Sequence, residues 1–301
     1  MCSTLCWPST GRMTSTYLVL GGTGKTGRRI TRRLVEAGLT ARPGSRTPAA
    51  PAPGTTPVRF DWDDRSSWSP ALEGVRGAYL VPPAFRTDHA PLFGALAGQA
   101  VDLGVSRLVL LSARGVDQGP DNPLRAAERA VRDAAGDRAA VTVLRPSWFM
   151  QNFTEAFFAP GVAEGQLVAP TGDGAEPFID AEDIAAVAVA ALTEDGHGGR
   201  DYDLSGPAAL TMAEAAEVLS SRLGHRVEHV DPPLEQWTAG AVQNGLPADY
   251  AGLLGALFGR IASGDDAQLS TGVQDALGRP AGSFQEWADR ELAPAAGQRT
   301  A

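Results

Sequence analysis

The chain has almost no lysine and almost no cysteine. Lys25 is its only lysine, whereas arginine supplies the other 25 basic side chains. The two cysteines, Cys2 and Cys6, both lie in the first six residues, so no disulfide can cross-link the core. The cysteines and four scattered histidines do not have the spacing of a zinc site, and we expect no metal.

An excess of positive charge and long apolar runs are also lacking. The formal net charge of −9 argues against a nucleic-acid partner, which requires a basic surface. No stretch reaches the roughly 18 apolar residues of a membrane span. Residues 1–14 lack the basic start and long apolar segment of a signal peptide. We therefore expect a cytoplasmic protein with a disordered extension, in which Met13 is an alternative start to Met1.

A glycine-rich turn directly follows the first apolar run. Tyr17–Leu20 predicts a strand, Gly21, Gly24 and Gly27 follow with three-residue spacing, and a helical pattern begins at once. Gly24 would let the backbone approach a pyrophosphate, and the helix N-terminus would offer its N–H groups to phosphate. The turn predicts a dinucleotide-binding site. Its predicted cofactor contacts are Gly21, Gly22, Thr23, Gly24, Lys25, Thr26 and Gly27.

The other glycines of this turn have expected roles of their own. Gly21 and Gly22 would turn the chain at positive φ, and Gly27 would let the helix pack tightly on the strand. The turn is not a P-loop, because that motif requires glycine where Val19 stands. Lys25 is therefore either a cation beside the cofactor or simply exposed.

No acidic residue occurs at positions 37–60, which include the second predicted strand, Thr40–Arg46. A Rossmann site for NAD usually places an acid at the end of this strand to bind the ribose 2′-hydroxyl. Ser45 and Arg46 offer hydroxyl and guanidinium groups instead, which suit a 2′-phosphate. The sequence favours NADP(H) over NAD(H), although Arg46 could also be a solvated charge.

Strand and helix patterns then alternate at regular spacing. Val58–Trp62, Ala78–Val81, Arg107–Ser112 and Val141–Pro146 predict strands separated by helical patterns. This alternation predicts the α/β class with a doubly wound parallel sheet, a Rossmann fold. Ligands of such folds bind at the carboxyl ends of the strands. The further cofactor contacts predicted there are Asp61, Trp62, Pro82, Ser112, Arg145 and Pro146.

Several of these residues also have simpler explanations. Asp61 could cap the following turn, Pro82 could merely end its strand, and Ser112 could be an ordinary strand-end hydroxyl. Beyond Pro146, a cluster of aromatic residues and methionine is typical of core or of the apolar wall of a substrate pocket. The predicted substrate contacts are Ser147, Trp148, Phe149, Met150, Asn152 and Phe153.

The last third of the chain predicts helices and short strands that do not simply extend the main sheet. We expect a smaller, mostly helical C-terminal domain that binds substrate. The predicted boundaries are 1–14 for the extension, 15–155 plus 177–205 for the Rossmann domain, and 156–176 plus 206–301 for the substrate-binding domain.

Four segments resemble the NmrA-like branch of the atypical short-chain dehydrogenases/reductases. They are Val19–Gly27, Leu108–Ser112, Leu144–Phe153 and Phe178–Ala185, in this order and spacing. The resemblance implies an NAD(P)H-dependent oxidoreductase similar to quinone reductase-like proteins and to ergot-alkaloid-type iminium reductases. Several such relatives belong to natural-product pathways, that is, to secondary metabolism. The family also includes NADP-binding regulators without demonstrated chemistry.

One departure from the wider superfamily limits the chemistry. Typical members carry a Tyr-x-x-x-Lys pair on the helix after the Ser112 strand, and residues 121–136 contain neither tyrosine nor lysine. Hydride transfer to an iminium carbon needs no proton on oxygen, and a quinone or activated alkene can take its proton from solvent or a weak donor.

We therefore expect a monomeric or homodimeric NADPH-dependent reductase of a planar apolar small molecule. Ser112 and Asn152 are its catalytic candidates. A regulator or redox sensor that binds NADP without catalysis is one alternative. A non-redox cyclase or isomerase on the same fold is another.

Overall fold

The computed structural model describes residues 15–116, 122–155 and 157–292. The predicted extension at 1–14, with both cysteines, lies outside these residues. The strands are β1 (Thr16–Leu20), β2 (Thr40–Ser45), β3 (Val58–Arg59), β4 (Val75–Leu80), β5 (Arg107–Leu111), β6 (Ala140–Pro146), β7 (Gln166–Val168), β8 (Ala175–Glu176), β9 (Asp201–Leu204), β10 (Leu210–Thr211) and β11 (Glu228–Val230). The α-helices are α1 (Lys25–Glu36), α2 (Trp68–Leu72), α3 (His89–Asp102), α4 (Pro123–Ala135), α5 (Ala159–Ala163), α6 (Ala181–Thr193), α7 (Met212–Leu223), α8 (Leu234–Gln243), α9 (Ala248–Ala262), α10 (Gly272–Leu277) and α11 (Phe284–Glu291).

Seven parallel strands form the central sheet in the order β3-β2-β1-β4-β5-β6-β9. The chain runs outward from β1 to β3 and then crosses back to β4, so the strand order reverses between β1 and β4. The doubly wound α/β fold predicted from the sequence is confirmed. Leu108–Leu111 of β5 is buried throughout, as expected of a parallel strand that is covered on both faces.

Helices cover both faces of the sheet. On one face α3 and α4 contribute buried side chains such as Phe93 and Val131 to a single apolar cluster. On the other face α1, α6 and α10 contribute Ile30, Ile184 and Val273. The carboxyl edge of the sheet remains uncovered by these two layers, and the candidate site lies there.

The polar face of α1 is an interface rather than a solvated surface. Arg29 is 4% exposed, and its guanidinium donates to Glu182 of α6 (3.1 Å) and to Glu155 (2.8 Å). Glu182 also accepts hydrogen bonds from Arg32 and Arg33. Hydrogen bonds from three arginines therefore hold α1, the helix that follows the glycine-rich turn, against α6.

The elements outside the main sheet form a second lobe with a core of its own. Strand β7 pairs with β11 and β8 with β10, while α7, α9 and α11 pack around Phe153, Phe258 and Trp287. Helix α10 instead contacts α6 and β9, although its sequence lies in the predicted substrate-binding domain. The domain boundaries stay a prediction. Within the described ranges, no helix is both long and apolar enough to cross a membrane.

The third predicted strand is shorter than expected. Val58–Trp62 was predicted, whereas β3 ends at Arg59 and the chain turns at Asp61. The Asp61 carboxylate accepts the backbone N–H of Asp63 at 3.1 Å and thereby stabilises the turn. Asp61 therefore stabilises this turn, and its contact with the cofactor stays a prediction.

Candidate cofactor and substrate site

The glycine-rich turn connects β1 to α1 at the carboxyl edge of the sheet. Gly21 has φ +63°, a conformation that favours glycine. Gly22 does not have positive φ, contrary to expectation, and its importance is steric because a Cβ there would overlap Pro43. A Cβ on Gly27 would overlap the carbonyl oxygen of Gly21. The tight turn thus depends on glycines that bring two backbone segments into contact.

The N-terminus of α1 has the properties of a phosphate site. Gly24 is the N-cap residue and provides no side-chain hydrogen bond, and the first turn carries no acidic residue. Thr23 and Gly24 are exposed, whereas Thr26 is buried and accepts the Tyr79 hydroxyl hydrogen at 2.9 Å. The uncapped N–H groups and the partial positive charge of the helix end fit a pyrophosphate.

The residues predicted to bind the 2′-phosphate, Ser45 and Arg46, lie at the end of β2. Arg46 is exposed and forms no hydrogen bond or ion pair with another described residue, while the Ser45 hydroxyl donates to the carbonyl of Thr47 at 2.8 Å. Arg42 has a structural role, since it donates to the carbonyls of Ala71 and Glu73. The half-buried Trp62 packs edge-on against Phe60.

A cavity of about 290 Å³ adjoins the glycine-rich turn. Its wall includes Lys25 from α1, Ser112 beyond β5 and the segment that follows β6. Six residues of the predicted site therefore share it with Lys25: Ser112, Pro146, Ser147, Trp148, Phe149 and Asn152. Pro82 lines an adjoining cavity of about 280 Å³, which shares Tyr250 and Leu254 with the first.

Lys25 connects the turn to the aromatic segment. Its Nζ donates to Oδ1 of Asn152 at 2.6 Å and lies 5.8 Å from the centre of the Phe149 ring. Burial lowers the pKa of Lys25, and Arg28 acts in the same direction while Glu155 opposes it. Since Asn152 uses its oxygen to accept this bond, its NH₂ group is available to donate to a ligand.

The segment after Phe149 divides between cavity and core. Met150–Phe153 forms a 3₁₀ turn, in which side chains three residues apart lie on the same side. Phe149 and Asn152 consequently face the cavity, whereas Met150 (0% exposed) and Phe153 (1% exposed) lie in the core of the second lobe. This burial is a correction to their prediction as substrate contacts.

Ser112 and Arg145 share one buried carboxylate. The Ser112 hydroxyl donates to Oε1 of Glu128 at 2.5 Å, and Arg145 donates to both oxygens of the same group at 3.0 and 2.6 Å. Arg145 lies also 3.1 Å from Asp201, and its guanidinium does not line the cavity. Arg145 is therefore paired with carboxylates and lies outside the wall of this cavity. Ser112 lines the cavity, but its hydroxyl hydrogen points to Glu128 and is not available to a ligand.

Several other residues of the cavity wall were not predicted. Arg114 follows the β5 strand end closely, and a search of strand-end residues could have found it. Glu176, Tyr250 and Asp266 come from the second lobe, and no motif marks them. Trp148 stacks on Phe158 at 6.0 Å and approaches Phe258 at 4.9 Å, so the aromatic segment also binds this lobe to the sheet. Among the described residues, no group of three His, Cys, Asp or Glu could hold a metal ion.

The fold and the glycine-rich turn define a dinucleotide-binding protein. The sequence model of a family described as NAD(P)H-binding matches residues 21–195. The chain is 38% identical over 273 residues to the uncharacterized oxidoreductase YesF of Bacillus subtilis, which covers 90% of this chain and 93% of that protein. It is 32% identical to an NAD(P)H azoreductase of Xenophilus azovorans, covering 92% and 98%.

A solved structure shows the same fold. Triphenylmethane reductase of Citrobacter sp., complexed with NADP(H), superposes with a TM-score of 0.73 at 22% identity, covering 92% of this chain and 100% of that chain. The chain belongs to the NmrA-like family of atypical short-chain dehydrogenases/reductases, an oxidoreductase family with an NAD(P)H-binding domain.

Proposed function

We propose that the protein is an NADPH-dependent reductase of a planar, apolar small molecule. The observation that carries the proposal is the position of Lys25, which opens the helix of the glycine-rich turn and also lines the aromatic cavity. Cofactor and substrate would thus meet at one place. The azoreductase among the relatives acts with NAD(P)H, which supports a reductase of this kind.

The chain's own residues account for binding and orientation. The turn from Gly21 to Gly27 would hold the pyrophosphate, and Ser45 with Arg46 would hold the 2′-phosphate. When bound, the reduced nicotinamide supplies a hydride. Trp148 and Phe149 provide flat apolar surface for an aromatic acceptor, and the Asn152 amide fixes its orientation.

Binding and turnover test the proposal in sequence. We expect NADPH to bind in a fluorescence titration and to be oxidised in the presence of at least one quinone, azo dye, enone or iminium compound. Failure to bind either NADPH or NADH would contradict the proposal outright. Tight NADPH binding without oxidation by any of these acceptors would indicate the regulator instead.

Arg46→Ala is expected to weaken NADPH binding by about ten- to hundredfold and to leave NADH binding unchanged. The reason is the loss of charge-assisted hydrogen bonds to a 2′-phosphate, worth roughly 1.5–3 kcal/mol. Titration of both cofactors measures the difference. Arg76→Ala is the matched control, since Arg76 is exposed but lies near the start of β4, at the opposite edge of the sheet. Equal weakening of NADPH and NADH by Arg46→Ala would refute the assignment.

A further inference from the structure

Glu176 is a buried carboxyl group in the cavity wall. It is 1% exposed, and its Oε1 accepts the backbone N–H of Trp148 at 3.1 Å. Its Oε2 is buried and has no hydrogen-bond partner among the described residues. Buried polar atoms are nearly always paired, so an unpaired carboxyl oxygen beside a ligand cavity calls for a functional explanation.

Three charged groups act on Glu176 from the elements around it. Arg114 beyond β5 and Arg260 of α9 favour the ionised carboxylate, whereas Asp266 disfavours it. Arg260 acts on both Glu176 and Asp266, and its Nε donates a hydrogen bond to Asp266 at 3.1 Å. Burial outweighs both arginines and raises the pKa of Glu176 to about 8. The side chain is therefore a neutral carboxylic acid at pH 7.

Lys25 and Tyr250 are the other titratable groups that line the same cavity. The Lys25 ammonium already donates to Asn152 at 2.6 Å. Burial raises the pKa of the Tyr250 phenol, which makes it a still weaker acid than an ordinary tyrosine. The Tyr250 phenol is therefore a poorer proton donor than Glu176 near neutral pH.

We propose that Glu176 is the proton donor to the substrate, in place of the tyrosine that the wider superfamily uses. The inference rests on the proposed reductase function. Reduction adds one hydride and one proton to a neutral acceptor. The hydride supplied by the reduced cofactor brings two electrons, which leave negative charge on an acceptor oxygen or nitrogen. The O–H bond of Glu176 breaks as its proton moves to that atom, and the carboxylate is reprotonated from solvent.

This role selects a class of substrate. A quinone, an enone or an azo compound needs both a hydride and a proton, so a protonated acid in the cavity wall accelerates its reduction. An iminium cation needs only the hydride and gains nothing from the acid. The structure therefore favours neutral acceptors over preformed iminium ions.

Glu176→Gln tests the proposal, since the amide can still accept the Trp148 N–H and has nearly the same volume. With the intact protein and NADPH, we expect kcat for a quinone to fall on the order of a hundredfold. The quinone KM and the Kd of NADPH should not change. Reduction of a preformed iminium compound should keep its wild-type rate if the compound is a substrate at all. Asp183→Asn is the control, because Asp183 is also buried but lies outside this cavity wall.

The pH dependence gives two further readouts. Wild-type kcat for the quinone should fall above about pH 8, and this limb should vanish in Glu176→Gln. The folded pKa of about 8 lies above the unfolded value. Wild-type stability should therefore decline between about pH 5 and about pH 8, as the unfolded state loses this proton first. The melting temperature of Glu176→Gln should lack that decline.

Different failures point to different errors. If the wild type reduces none of the acceptors, the proposed function itself fails. If Glu176→Gln reduces the quinone at the wild-type rate with the alkaline limb intact, only the proton-donor role is overturned. Loss of quinone reduction in Tyr250→Phe together with normal turnover in Glu176→Gln would overturn it as well. The proton-donor role would also be overturned if the wild-type protein reduced iminium compounds but no neutral acceptor.

Discussion

Gly27→Ala is expected to weaken NADPH binding strongly and to destabilise the fold. A Cβ on residue 27 would overlap the Gly21 carbonyl oxygen and lie 2.7 Å from the Gly21 carbonyl carbon. This backbone cannot easily retreat, because Gly21 is held at φ +63° and its carbonyl accepts the N–H of Gly24 at 2.8 Å. The turn must therefore open and displace the N–H groups at the start of α1.

We expect a loss on the order of 3 kcal/mol in unfolding free energy, typical of overpacking against a rigid neighbour. NADPH binding should weaken on the order of a hundredfold or more, since several phosphate-binding N–H groups move together. Urea unfolding and fluorescence titration measure the two effects. Gly98→Ala in α3 is the matched control, because its Cβ would meet open space. It should bind NADPH normally and gain up to about 1 kcal/mol of stability. Normal NADPH binding by Gly27→Ala would contradict the assignment of the cofactor turn.

Glu128→Ala is expected to cost about 3 kcal/mol of unfolding free energy, the lower end of the range for breaking a buried ion pair. Glu128 is 4% exposed and accepts hydrogen bonds from both Ser112 and Arg145. Its removal leaves the Arg145 guanidinium buried beside Asp201, at 3.1 Å, with Asp203 as a further acidic group that acts on it. Asp201 is partly exposed and offsets part of the loss.

The comparison pair for this experiment lies on the surface. Asp102 accepts a hydrogen bond from Arg138 at 2.7 Å, and both side chains are more than half exposed. Asp102→Ala should cost less than about 1 kcal/mol, because solvent screens such pairs. Chemical unfolding of both variants at the same pH measures the difference. Equal losses would show that Arg145 does not depend on Glu128.

The main sheet was predictable because its signals are local. Continuous apolar runs such as Leu108–Leu111 end at turn residues, and the helical patterns between them fix the order of elements. The local pattern gives no sign of contacts with side chains far along the chain. The arginines of α1 bind Glu182, some 150 residues later, and nothing in their own segment indicates this contact.

The candidate site likewise contains residues that the sequence indicates and residues that only the fold reveals. The glycine-rich turn and the segment after β6 are each contiguous, so their residues could be named from the sequence. The distinction between Phe149 and Phe153 required knowledge of the 3₁₀ turn, since both are aromatic residues in one run. Glu176 lies between a glycine-rich loop and an apolar segment, and its burial arises from long-range packing against β10, α9 and the Trp148 backbone.

The single lysine makes the cavity accessible to a selective spectroscopic label. Reductive methylation with ¹³C-formaldehyde modifies lysine side chains and the α-amino group, so Lys25 would be the only labelled side chain. Its ammonium group lies between Asn152 and the Phe149 ring, where ring currents and hydrogen bonding shift the methyl resonance. One isolated NMR signal could thus report on cofactor and substrate as each enters, without mutating any residue of the site.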